Sequence, residues 1–179
     1  MRFFFIVLVA LITVSRAQQQ PDLPVALVPL DSRPATSSLP VDVAAVGGVR
    51  VVTPARQWLG DATRGAQLEQ LVPWLEGVDA SALVVSLDAL AYGGLVQSRT
   101  SELSVDDAWA RLQVVRAWRS RTGRPVYAFV TIPRHPDATN RTRNLALIRK
   151  VFDWAADGTL ERLYVTWDDA LPGSPARAR

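Results

Sequence analysis

Five short apolar segments, separated by helical patterns, constrain the fold more than any other feature of the sequence. The segments are rich in valine and aromatic residues, which favour β-strands. Most of them are apolar throughout instead of alternating with polar residues, which indicates strands that are buried on both faces of a sheet. The predicted strands are 25–30, 49–53, 82–87, 126–132 and 163–167.

A helical pattern lies in each interval between the strands. In the strongest pattern, Ser104 is the predicted N-cap, and a glycine followed by a proline ends the helix. In the last pattern, the predicted buried stripe consists of Leu145, Ile148, Phe152 and Ala155. The four predicted helices are 39–46, 67–75, 105–121 and 139–156.

The alternation of strand and helix predicts an α/β fold over residues 25–170. We expect an open, mostly parallel five-stranded sheet. Right-handed crossovers would place helices on both faces of this sheet, in Rossmann-like or flavodoxin-like layering.

The composition excludes several classes of function. Of the 179 residues, 49% are apolar and 21% are charged, which is typical of one folded domain. Since there is no cysteine and only one histidine, disulfides, thiol nucleophiles and zinc sites built on cysteines or several histidines are excluded. The 20 basic residues only slightly outnumber the 17 acidic ones, so we predict no nucleic-acid partner.

Residues 1–17 have the pattern of a secretory signal peptide. Arg2 is followed by the apolar run 3–14, and small residues stand at Ser15 and Ala17, before the predicted cleavage site. The apolar run is too short to span a bilayer, so no stable membrane span is expected after cleavage. The alternatives are a membrane anchor and a buried helix. We therefore predict an exported protein, periplasmic or secreted, with a polar lead-in over 18–24.

The sequence stops shortly after the fifth predicted strand. No helical pattern follows it, and residues 171–179 are predicted to be a truncated or disordered tail. We interpret the chain as the N-terminal part of a longer protein. The missing C-terminal part of that protein would then be a partner of this domain. The alternative is a naturally frayed terminus.

Polar residues collect where the predicted strands end. Because the carboxyl ends of parallel strands meet at one edge of a sheet, where open α/β sheets bind their ligands, we expect these residues to lie at one site. The candidate site residues are Asp31, Ser32, Arg33, Asp88, Tyr92, Gly93, Gly94, Arg99, Arg134, Asp168 and Asp169.

Four aspartates among these residues are the candidate catalytic groups: Asp31, Asp88, Asp168 and Asp169. Carboxylates carry out general acid–base chemistry, and they also provide oxygen ligands for a divalent cation, which is the candidate cofactor. The remaining candidates are predicted to bind substrate, and the arginines among them suit carboxylate, phosphate or sugar hydroxyl groups.

Several of these candidates also have a purely structural interpretation, and Asp168 with Asp169 would then form an exposed turn. Asp31 and Arg33 would form a loop ion pair, Asp88 would cap backbone amides, and Gly93 with Gly94 would permit a turn with positive φ. Nucleotide binding has no support, since neither a P-loop nor a GxGxxG motif is present.

Three motifs of the chain resemble those of the DUF4127 family of bacterial proteins. The opening motif is VALVPLDSRP at 25–34, the second is VVSLDALAYGGLVQSR at 84–99, and WDDA at 167–170 is similar to a third. Members of this family are considerably longer than this chain and their function is uncharacterised. The resemblance therefore implies site positions without a mechanism.

We expect a hydrolase-type enzyme that acts on a small polar or carbohydrate-like substrate. Two alternatives to this enzyme remain open. One is an extracytoplasmic module that binds such a ligand without catalysis, and the other is an incomplete fragment without function.

Overall fold

The computed structural model describes residues 23–133 and 138–167. Within these ranges five strands form one sheet, and all neighbouring pairs are parallel. The prediction of an open parallel five-stranded sheet is therefore confirmed. The strands are β1 (Val25–Val28), β2 (Val51–Val52), β3 (Ala82–Ser86), β4 (Val126–Ile132) and β5 (Arg162–Trp167).

Six α-helices and one short 3-10 helix, Arg56–Trp58, connect the described strands. The longer helices begin and end close to their predicted limits. In α5, the Ser104 side chain accepts a hydrogen bond from the Asp107 N–H and forms a capping box, and Gly123 ends the helix at φ 66°. The α-helices are α1 (Ser38–Val46), α2 (Leu68–Gly77), α3 (Leu87–Tyr92), α4 (Leu95–Thr100), α5 (Val105–Thr122) and α6 (Ala138–Ala156).

The strand order is β2-β1-β3-β4-β5. From β1 the chain first moves outward to β2, and it then crosses to the opposite side of β1 and continues through β3 to β5. The order therefore reverses between β1 and β3, and such a switch point leaves a crevice outside the carboxyl ends of the two strands.

The main core lies on one face of the sheet. Strand register places Val28, Val85 and Ala128 side by side on this face, where α2, α5 and α6 cover them. The other face carries Leu27 and Val84, which line an apolar cavity of about 190 Å³ together with side chains of α1. Helices therefore lie on both faces, as predicted.

The segment after β3 differs from the expectation. The sequence predicted a polar loop there, and the structure forms two six-residue helices, α3 and α4, separated by Gly93 and Gly94. β3 passes directly into α3, because the Ser86 side chain caps the helix by accepting a hydrogen bond from the Ala89 N–H at 3.2 Å. Asp88 therefore lies in the first turn of a buried helix.

Several predictions concern positions outside the described residues. They are the leader 1–17, most of the polar lead-in 18–24, the tail 171–179, and the site residues Arg134, Asp168 and Asp169. Among the described helices, none is long and apolar enough to cross a membrane.

Candidate functional site

Asp31 follows β1 and is almost completely buried, with 4% of its surface exposed. Its Oδ2 accepts hydrogen bonds from Nε and Nη2 of Arg33 at 2.9 and 2.5 Å. Its Oδ1 accepts from the Arg33 N–H at 3.0 Å and the Thr36 hydroxyl at 2.7 Å. Both oxygens are thus engaged within the loop.

This hydrogen bonding keeps Asp31 ionised. Burial raises the pKa of the Asp31 carboxyl. The hydrogen bonds from Arg33 and Thr36 together lower it by a larger amount, so the pKa lies below its ordinary value. The geometry is that of the loop ion pair, in which Arg33 remains half exposed. Ser32 is bound to the neighbouring loop through its N–H, which donates to the Gly60 carbonyl at 2.7 Å.

Asp88 occupies the equivalent position after β3. The paired residues Val28 and Val85 each precede one of the two aspartates by three positions. Asp88 is 1% exposed, and its Oδ2 accepts a hydrogen bond from the backbone N–H of Thr131 in β4 at 2.8 Å. Burial raises the pKa of Asp88 to about 7, although the hydrogen bonding to Thr131 lowers it.

Tyr92 lies one helical turn after Asp88 in α3 and is also buried. Its hydroxyl has no hydrogen-bond partner among the described residues. Burial raises the pKa of Tyr92 to about 12, the positive charge of Arg143 acts against this rise, and the negative charge of Asp88 adds to it. Asp88 and Tyr92 therefore form a pair of buried ionisable groups that interact electrostatically.

Gly93 and Gly94 allow loops to approach one another at the backbone. Both have positive φ, at 94° and 141°, where other residues are strained. The Gly93 carbonyl accepts a hydrogen bond from the Ala66 N–H at 2.9 Å, and a Cβ on Gly60 would overlap this carbonyl oxygen. A Cβ on Gly94 would contact the Leu30 carbonyl of the β1–α1 loop at 3.5 Å. These glycines therefore lie where three loops of the carboxyl edge approach one another closely.

Four residues near the candidate groups were not predicted from the sequence: Thr36, Thr131, Arg143 and Asn144. Thr36 and Thr131 bind the two aspartates. Arg143 and Asn144 of α6 both donate to the Ser98 carbonyl, at 2.8 and 3.0 Å, and Asn140 of the same helix donates to the carbonyl of Arg99. For the three residues of α6 the sequence does contain a signal, because positions 140, 143 and 144 lie on one face of the helix.

Five of the described candidates form two groups that flank the switch point, and Arg99 lies apart from them in the last turn of α4. Asp31, Ser32 and Arg33 lie at the end of β1, and Asp88 with Tyr92 lies at the end of β3. Within 23–133 and 138–167, no three acidic or histidine side chains lie together in a way that would hold a metal ion. The divalent cation remains a prediction that depends on Asp168 and Asp169.

A cleft of about 260 Å³ opens beside the first group. It lies between the start of α1 and the segment after β2, and its polar lining includes Ser37, Thr53 and Arg56. The cleft also contains Asp42, so its charge is mixed. This cleft provides a space for a small polar molecule next to the loop that carries Asp31.

A family model described as "Protein of unknown function (DUF4127)" matches residues 25–142, about two thirds of the chain. The chain belongs to the DUF4127 family. The resemblance inferred from the motifs at 25–34 and 84–99 is thus confirmed. Both groups of described site candidates lie inside the matched range, whereas Arg143 and Asn144 follow directly after its end.

Comparison with other proteins adds no activity to this DUF4127 chain. No curated protein matches it. A solved structure titled as an aromatic amino acid aminotransferase with 3-indolebutyric acid is similar, with 16% sequence identity and a TM-score of 0.45. The similarity covers 83% of this chain, which spans about a third (32%) of that protein. At this TM-score the similarity supports no conclusion about function.

Proposed function

We propose that this DUF4127 protein is a hydrolase-type enzyme that acts on a small polar or carbohydrate-like substrate at the carboxyl edge of its sheet. Asp88 is the proposed general acid–base group. The observation that carries this proposal is the placement of Asp88, which is buried beside the switch point with a pKa of about 7. A carboxyl group with this pKa is present in both protonation states near neutral pH, which suits proton transfer in either direction.

The surroundings of Asp88 support this role. Its Oδ2 is fixed by the Thr131 N–H, and Tyr92 follows one turn later in the same helix. An unpaired buried hydroxyl is costly, and it is retained where a water molecule or a ligand group completes its hydrogen bonding. Tyr92 is therefore the second group proposed to contact the substrate.

The two aspartates have different proposed roles. Asp31 is ionised and saturated by Arg33 and Thr36, so it shapes the β1–α1 loop and does not transfer protons. Arg33 is half exposed and is proposed to contact the substrate from the solvent side.

A ligand-binding module without catalysis is the alternative function. It is favoured by the saturated hydrogen bonding of Asp31 and by the mixed-charge cleft beside it, since neither feature requires chemistry. The two functions differ in turnover, which a substrate screen measures directly.

The test uses the full chain and an Asp88→Asn variant. Hydrolysis of p-nitrophenyl glycosides and esters is followed from pH 5 to pH 9, and thermal shifts are recorded with neutral sugars, acetate and inorganic phosphate. For the enzyme we expect turnover with an inflection near pH 7 and a loss of about 10²-fold or more in Asp88→Asn. The exposed Asp106→Asn should match the parent.

Either of two outcomes would overturn the enzyme proposal. A thermal shift that depends on Asp88 without any turnover would identify a binding module. Turnover that is equal in Asp88→Asn and in the parent would place the chemistry elsewhere.

We also propose that the protein is exported. The support is the signal-peptide pattern of residues 1–17. Mass spectrometry of the protein expressed in a bacterial host should find it outside the cytoplasm with Gln18 as its first residue. Retention in the cytoplasm with an intact leader would contradict the proposal.

A further inference from the structure

Arg143 of α6 binds several backbone carbonyl groups around the proposed site. Its Nη2 donates to the Ser98 carbonyl at 2.8 Å, and its Nη1 donates to the Leu103 carbonyl at 3.2 Å and to the Ser101 carbonyl. Its Nε donates to Oδ1 of Asn144 at 3.1 Å. All three guanidinium nitrogens are therefore occupied by acceptors of the protein itself.

The flat face of the same guanidinium lies over the Tyr92 ring. The central carbon of Arg143 is 4.7 Å from the ring centroid, a cation–π arrangement. Tyr92 and Arg143 belong to helices that follow different strands, α3 after β3 and α6 after β4. The contact therefore connects the ends of two neighbouring strands, and Asp88 and Thr131 connect the same two ends.

We infer that Arg143 is a positioning residue of the proposed site, which fixes the Tyr92 ring one helical turn after Asp88 and thereby keeps the surroundings of the Asp88 carboxyl closed to water. This inference rests on the proposed function. Because its donors are all engaged, Arg143 does not bind substrate itself. Only arginine has the planar fork that reaches three carbonyl groups while its face remains on a ring.

The neighbouring polar residues of α6 support this role. Asn144 accepts from Arg143 and donates to the Ser98 carbonyl at 3.0 Å, so that the guanidinium and the amide hold each other in place. Asn144 is almost fully buried. A buried network with all of its members paired is rigid, whereas a partly paired network is destabilising. The Tyr92 ring thus rests against a rigid support.

The test is a titration of the Asp88 carboxyl by ¹³C NMR in the full chain, with its signal assigned through Asp88→Asn. We compare the parent, Arg143→Met and Arg143→Lys, with Arg116→Met as the control. Arg116 forms an exposed ion pair with Asp157 at 3.0 Å, and both residues lie outside the three motifs. In Arg143→Met the ring loses its support and water reaches the carboxyl, so the midpoint should fall by about one pH unit from its parent value.

Arg143→Lys keeps the positive charge without the planar fork, so it should lower the midpoint in the same direction. If Arg143→Met does not fold, Arg143→Lys is sufficient to test the inference. A lower melting temperature with an unchanged Asp88 midpoint would overturn the inference, since it would show that Arg143 only joins helices. A midpoint that rises in Arg143→Met and returns with Lys would overturn it too, because this is the effect of losing a positive charge alone.

The titration separates this inference from the proposed function. If Asp88 in the parent titrates near 7 and the Arg143 variants do not move it, the inference fails and the proposed function stands. If Asp88 in the parent titrates at the ordinary value for aspartate, the observation that carries the proposed function fails.

Discussion

The Asp88 carboxylate accepts a hydrogen bond at 2.8 Å from the backbone N–H of Thr131, 43 positions further along the chain. This bond joins the junction of β3 and α3 to the carboxyl end of β4. The acceptor is a buried carboxylate, so the interaction depends on protonation. The pH dependence of the folding stability should therefore show at which pH Asp88 is protonated.

Asp88→Asn should remove a pH dependence of stability above pH 4. Burial raises the pKa of Asp88 from 3.8 to about 7 in the folded chain. Between these values the folded state holds a proton that the unfolded state releases, so the parent loses stability as pH rises, by at most about 1.4 kcal/mol per pH unit. Asparagine does not titrate, and urea denaturation at pH 5 and pH 8 measures the difference.

The control for this experiment is Asp106→Asn, since Asp106 is exposed and paired with Lys150 at 2.8 Å. This variant should keep the slope of the parent. An equal loss of stability between pH 5 and pH 8 in the parent and in Asp88→Asn would contradict a raised pKa for Asp88.

Asp31→Asn should change the pH dependence of stability in the acidic range. The pKa of Asp31 lies below its ordinary value, so its stabilisation is present above the unfolded pKa and is lost as pH falls through the folded one. The variant should lose about 1–2 kcal/mol at pH 7, because hydrogen bonds to a charged acceptor are lost. It should also show a shallower decline below about pH 4, as measured by denaturation.

Asp42→Asn is the matched control for Asp31→Asn, because Asp42 is an exposed aspartate of α1. We expect its stability to stay within about 0.5 kcal/mol of the parent. A cost in Asp31→Asn that is no larger than in this control would show that the ion pair with Arg33 adds nothing to stability.

Gly60→Ala should destabilise the carboxyl edge. A Cβ at this position would overlap the carbonyl oxygen of Gly93, which is backbone and cannot rotate away. Overpacking of this kind costs about 1–3 kcal/mol or more. Gly77→Ala is the control, since a Cβ there meets nothing within 4 Å. Equal melting temperatures for the two variants would contradict the close approach of these loops.

The order and type of the main elements were predictable from the sequence. Strands that are buried on both faces are apolar throughout, and capping residues such as Ser104 and Gly123 mark where a long helix begins and ends. These signals are local, so they can be recognised in the sequence without knowledge of the packing. The same signals predicted that polar residues would meet at the carboxyl edge.

Two features of the site were not predictable in this way. The helices α3 and α4 have six residues each, which is too short for a hydrophobic period to be recognised. The partner of Asp88 is a backbone N–H, which every residue except proline carries, so no side chain marks Thr131 as the partner.

The buried stripe of α6 shows a third limit. The sequence predicted Leu145, Ile148, Phe152 and Ala155, but Phe152 is 51% exposed and Ala155 is also exposed. Ile148 is buried and Leu145 packs against the core, as predicted, but the other buried positions are Leu147, Val151 and Trp154. Both sets are apolar and helically spaced, so only the packing against β4 and α5 decides between them. Asn144 lies one turn before Ile148 on the buried face, a position that the predicted stripe did not include.

Substitutions in α6 test this assignment. Trp154 is 1% exposed and packs against Trp109 with ring centroids 4.5 Å apart, so Trp154→Ala should cost about 3–5 kcal/mol. Phe152→Ala makes a comparable aromatic truncation on the same helix. It should cost less than about 1 kcal/mol, because half of its surface already contacts solvent. Urea denaturation at pH 7 measures both values, and a larger cost at Phe152 than at Trp154 would restore the predicted stripe.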